Sequence, residues 1–182
     1  MHDSQSLRRD AIRLLGDKGE PKDLLSTLLT CLGDPSNSIK REALDTIIAG
    51  GLKTDAVRDG MLKAMSTSLL LSRKVNAALE SFDNVEPAAL LDAMTQAAKV
   101  CGGTLVSSHA ASVVFDICCQ RAVDQSRSEL DRVICIRMLK NHVGASEEQI
   151  AQRQEIFDKC IASDSPVQIR YAVMDLLPWQ DE

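Results

Sequence analysis

Aromatic side chains are nearly missing from this sequence: three Phe, one Tyr and one Trp, 3% of 182 residues. A core must then come from Leu, Ile, Val, Ala and Met. That suits packed helices better than a β-sandwich, whose strands favour aromatic and β-branched residues. Basic residues are also in deficit. The formal net charge is −5 and the pI is near 5.2, which argues against general affinity for phosphate backbones. No run of 18 apolar residues exists, so no membrane span is expected. The opening Met1-His2-Asp3-Ser4-Gln5 lacks the apolar core of a signal peptide.

Metal-binding and catalytic patterns are equally thin. Cys31, Cys101, Cys118, Cys119, Cys135 and Cys160 include no CxxC pair, and most sit among apolar residues. They read as reduced core thiols of a cytoplasmic protein, with the nucleus as the alternative. The three histidines are His2, His109 and His142. On one helix, nine residues from His109 to Cys118 span about 13 Å of rise, too far for one ion. Gly102-Gly103-Thr104 reads as a turn between helices rather than as a phosphate loop. No nucleophile elbow and no HExxH appear, and the carboxylates are scattered. The expectation is a chain without cofactor, metal site or catalytic residues.

What is present is helix punctuation. Gly16 ends a first helix begun near Ser4, and Pro21 opens a second, through about Cys31. Gly33 to Asn37 is turn chemistry. Helices then run from about Ser38 to Ala49 before Gly50-Gly51, from Thr54 to about Leu70, and from Ser72 to Phe82. Another begins at Asn84–Pro87, and one spans Leu105 to Arg121. Ser128 caps a helix to about Val143, and Ser146 with Gln149 is a capping-box pair. Ser165-Pro166 opens a last helix, stopped by Pro178. The count is about ten helices and no strand, in one domain over residues 1–182.

An internal repeat accompanies them. Leu7-Arg8 is followed by Ala11 and Leu15; Ile39-Lys40 by Ala43 and Ile47; Ile169-Arg170 by Val173 and Leu177. Positions i, i+4 and i+8 share one helix face, so each set is a packing stripe. Leu71, Val75 and Leu79 form another without the basic neighbour. Ile136-Arg137 has the pair without the stripe, and the register is irregular over 104–145. Asp34 and Asp164 each precede the basic residue by six positions. Such an Asp can hold free helix N–H groups, or pair with the basic residue of a neighbouring repeat.

The Asp-Pro-type turn, the apolar–basic pair and the alanine-containing second helix resemble the HEAT repeat family. The resemblance is clearest over Leu24 to Ile48 and Ile156 to Leu177. It implies an all-α, right-handed α-solenoid of about five HEAT-like hairpins. It also implies an exposed row of second helices that binds a protein partner: a scaffold or adaptor. The candidate contact ridge is Arg9, Arg13, Lys40, Arg41, Arg73, Lys74, Arg137 and Arg170. Arg121, Arg127, Arg132, Arg137, Lys140 and His142 form a second, more one-sided basic group. Some HEAT-like proteins are DNA glycosylases and others bilin lyases or phycobiliprotein chaperones, which sets an enzyme alternative. The stripe at Leu7 opens on a second helix, so a piece of a larger scaffold, or a homodimer through that open end, is expected. Trp179 is read as a cap on the last helix pair, or as a partner anchor.

Overall fold

Apolar residues three and four apart wind the described parts of this chain into helices. The computed structural model describes residues 4–18, 24–101, 108–142, 145–162 and 164–174, without the side chains at 4, 5, 15, 17, 18, 69, 70, 101 and 108. The helices are α1 (Ser4–Lys18), α2 (Leu25–Leu32), α3 (Asn37–Ala49), α4 (Asp55–Met65), α5 (Leu69–Leu79), α6 (Pro87–Cys101), α7 (Ser108–Val123), α8 (Glu129–Lys140), α9 (Glu147–Ile161) and α10 (Val167–Met174). No strand occurs among the described residues. Pro21, the Gly102-Gly103-Thr104 turn, Pro178 and Trp179 lie outside them.

The sequence-level caps form as expected. Thr54 and Ser128 accept from the backbone N–H groups of Val57 and Asp131, and Ser146 with Gln149 closes both arms of a capping box. At the end of α3, Leu52 N–H bonds to Ile47 O at 3.2 Å and Gly51 N–H to Ile48 O at 3.1 Å. This is a Schellman ending with Gly51 at φ +62°. A Cβ there would meet nothing within 4 Å, so only backbone strain opposes a side chain. Gly51→Ala should therefore lower stability by about 1 kcal/mol, and Gly51→Asn by less. Urea unfolding followed at 222 nm checks this; equal losses for both would remove the backbone explanation.

The boundary between α4 and α5 differs from expectation. The helix begun at Thr54 stops at Met65 instead of reaching Leu70, and the next starts at Leu69. The hydroxyls of Ser66 and Thr67 donate to Lys63 O and Ala64 O, at 2.7 and 2.8 Å. They compete with the helix for its own carbonyls and end it without Gly or Pro.

Every substantial contact between helices joins elements one or two places apart in chain order. Even-numbered helices form one continuous row, α2 on α4, α4 on α6, α6 on α8, α8 on α10. Odd-numbered helices form a second row, α1 on α3 on α5 and α7 on α9; α5 and α7 scarcely touch. The stripes Ile39/Ala43/Ile47, Leu71/Val75/Leu79 and Ile169/Val173 are fully or almost fully buried. The stripe on α1 is not: Leu7 is 69% exposed and Ala11 exposed, while Ile12 packs inward. Gly16 lies inside α1 rather than at its end. A Cβ there would stand 2.9 Å from Thr46 Cγ2, so its small size sets how closely α1 approaches α3.

Polar rungs link successive members of the odd row. Arg8 pairs with Asp34 at 2.9 Å, and Asp34 also accepts from Ser36 N–H at 2.8 Å. Lys40 Nζ donates to Thr67 Oγ1 at 2.7 Å. In both, the basic residue of one helix holds the turn that precedes the next odd helix. Asp34 thus performs both tasks expected of it.

Candidate functional site

The flank built by α1, α3 and α5 carries most of the charged residues expected to make contact. Regular spacing aligns them: Asn37 and Leu69 open α3 and α5, 32 residues apart. Two depressions flank α3. Between α1 and α3 lies a cavity of about 260 Å³ lined by Arg13, Glu42, Asp45 and Thr46. Between α3 and α5 lies one of about 170 Å³ lined by Asn37, Ser38, Arg41, Ser68, Leu71 and Lys74. Lys74 forms an ion pair with Asp45, which ties the two walls together. Arg9 and Arg13 lie within 4 Å of Asp10. Arg41 and Arg73 are exposed and have no partner among the described residues.

The eight ridge residues are not all brought together. Lys40 leaves the ridge: it is only 6% exposed, and its ammonium is committed to the rung with Thr67. Arg137 stands on α8 and Arg170 on α10, in the even row. The cause is the pair α6 and α7 between α5 and α8. Two helices where one was needed move the apolar–basic motif from the odd row to the even one. Arg170 is also half-buried, with its Nε out of solvent.

The second basic group disperses in the same way. Arg132 is 5% exposed and donates from Nε to Ala122 O at 2.9 Å, capping the end of α7. Arg121 pairs with Asp92, and Arg127 with Asp124 at 3.7 Å. Only Arg137 and Lys140 of the group are exposed on α8 itself. Where Arg121 and Arg127 face α6, a polar cavity of about 220 Å³ opens. Its charges are paired off: Lys99 binds Asp131 at 2.6 Å. Burial pushes the Asp131 carboxyl up, but bonds from Lys99 and Ser128 outweigh it and hold the carboxyl below its ordinary range.

Cys135 lines that cavity, and Cys118 on α7 donates from Sγ to Met138 Sδ at 4.0 Å. The neighbouring Cys118 thiol, with Arg121 nearby, holds the Cys135 thiol low, while the proximity of Cys135 and burial push Cys118 up. Burial, Asp116 and Cys135 push Cys119 up to about 11. Cys118 and Cys119 are thus protonated core groups, as their apolar setting suggested. Cys135 is the thiol that the sequence did not single out, because its basic neighbours come from another helix and the following turn.

His142 is buried, its ring 5.2 Å from that of Phe115. Burial holds its pKa below the ordinary 6.5, and Arg153 adds to the effect. The unfolded chain therefore binds the proton more readily. The stability from neutral His142 is complete above about pH 6.5 and is lost as pH falls through the lower folded value. The Asp131 carboxyl acts in a separate window, near and below 3.8. We expect the urea midpoint to fall between about pH 7 and 5, and His142→Gln to flatten that decline. An unaltered slope in the variant would assign the decline elsewhere.

The chain matches no family model, no curated protein and no solved structure. Function has to be argued from the flank itself. Among the described residues no group of three or more His, Cys, Asp or Glu is placed to hold a metal ion, and no helix is long and apolar enough to cross a membrane.

Proposed function

We propose that this chain is a HEAT-like helical scaffold that binds a protein partner along its odd row, α1–α3–α5. The observation that supports this reading best is the pair of shallow depressions on either side of α3, walled by charges of both signs. Arg13, Glu42 and Asp45 face one, Arg41 and Lys74 the other. A phosphate backbone asks for one sign of charge along its whole track. Alternating signs suit a protein surface, where complementary charge sets orientation and encounter rate more than affinity. The serial packing also supports it, since a two-row stack leaves one long flank uncovered.

A photo-crosslinking residue placed at Arg41 or Arg73 tests the reading. It should capture one protein in stoichiometric yield, and the same residue at Gln154 on α9 should not. The double charge reversal Arg41→Glu/Arg73→Glu should weaken that complex about tenfold or more. Unchanged affinity, with the circular dichroism spectrum intact, rejects this flank as the contact.

A further inference from the structure

We infer that the depression between α3 and α5 is an oxyanion site that takes a phosphorylated serine or threonine side chain of the protein partner. This rests on the reading above and gives its chemistry. Four observations converge. First, both helices present N-terminal turns with no side-chain cap bond and no acidic residue in the first turn. Asp34 takes Ser36 N–H at the head of α3, the amides of residues 37–39 and 69–71 stay available, and the helix dipoles favour an anion. Second, Ser68, at the N-cap of α5, is 6% exposed, lines the cavity, and has no partner for its hydroxyl among the described residues. A hydroxyl that bonds nothing else is free to donate to an occupant of the cavity. Third, Arg41 lines the same cavity and lacks an acidic partner, and Lys74 stands opposite with one carboxylate, Asp45, already bound. Fourth, the volume of about 170 Å³ admits one phosphate group with a few waters, at roughly 30 Å³ for each water.

Donor geometry favours phosphate over carboxylate. The lining residues bring two helix ends, a serine, an arginine and a lysine to the cavity. A phosphate monoester offers three acceptor oxygens and close to two negative charges near pH 7, and so satisfies more of them than a planar carboxylate does. At about 170 Å³ the depression holds a single group, which fits a side chain and not a continuous nucleic-acid strand.

The test is a ¹H–¹⁵N titration of the full chain, at constant ionic strength. The probes are inorganic phosphate, then capped Gly-phosphoserine-Gly, Gly-Ser-Gly and Gly-Glu-Gly. The phosphorylated tripeptide should saturably shift the amides of residues 37–39 and 69–71, and the other two should not. Ser68→Ala should weaken it about fivefold and leave the urea midpoint unchanged or raised, since the lost hydroxyl had no partner. Arg41→Gln should weaken it about tenfold. Three results would overturn the inference. They are no saturable shift, equal binding by Gly-Glu-Gly or by the Ser68→Ala variant, and a DNA duplex that moves the same amides more strongly. Should crosslinking from Arg41 or Arg73 still capture a protein while phosphate fails, only this inference falls. Should both fail, the scaffold reading falls with it.

Discussion

Replacing Leu91 by alanine should lower the stability of the molecule by about 2–5 kcal/mol and split its unfolding into two stages. Leu91 is fully buried on α6. That helix packs on α4 and α5 on one side and on α7 and α8 on the other, while α5 and α7 scarcely meet. The two ends of the stack are thus coupled through α6. In a nearest-neighbour array, stability is close to a sum of unit and interface terms, and cooperativity survives only while the interfaces stay strong. Ile47→Ala is the control. Ile47 is as deeply buried, on α3, but lies within one end of the stack. Hydrogen exchange read separately over 24–82 and 108–174 distinguishes the cases. In the Leu91 variant the two regions should open at different urea concentrations. Coincident opening, with the full loss of stability, would show that the ends are joined by contacts beyond α6.

Arg132→Met should cost about 2–3 kcal/mol, far more than a surface arginine. The guanidinium is buried and donates to Ala122 O, which also accepts from Cys160 on α9 at 3.7 Å. One carbonyl in the last turn of α7 thereby gathers α8 and α9. The buried charge is offset by the negative end of the α7 dipole and by nearby Asp124. Methionine keeps much of the apolar stem and removes the donor, so the loss isolates the hydrogen bond from the packing. Arg132→Ala should cost more, by the stem as well. A Met variant within about 0.5 kcal/mol of the parent would show that Arg132 is a solvated surface residue after all.

Much of the helical plan was legible because it rests on local chemistry. Thr54, Ser128 and Ser146 cap where their hydroxyls meet free amides, and Ile39/Ala43/Ile47 is buried because its spacing matches a helix face. What escaped was settled by distant partners. Lys40, Arg132 and His142 look like surface residues in sequence. Each is buried because a carbonyl, hydroxyl or ring from another helix or turn receives it. The break at 66–68 lacks Gly and Pro; it depends on two hydroxyls turning back on their own helix. The candidate flank was half legible. Arg9, Arg13, Arg41, Arg73 and Lys74 fall on one row because α1 to α5 keep strict alternation. Arg137 and Arg170 fall elsewhere because a sequence motif does not count the helices between its copies. Ser68 carried no signal, since an N-cap serine that leaves its own helix uncapped looks like any other.

The rungs Arg8–Asp34 and Lys40–Thr67 have a consequence for how such a chain can change in length. Each ties a helix to the turn before the next odd one and asks nothing of more remote parts. A tandem copy of residues 37–68, one odd and one even helix with their turns, would meet on both sides the kinds of neighbour it already has. Growth in whole modules of that size keeps every junction familiar, whereas gain or loss of a single helix exchanges inside for outside in all that follows.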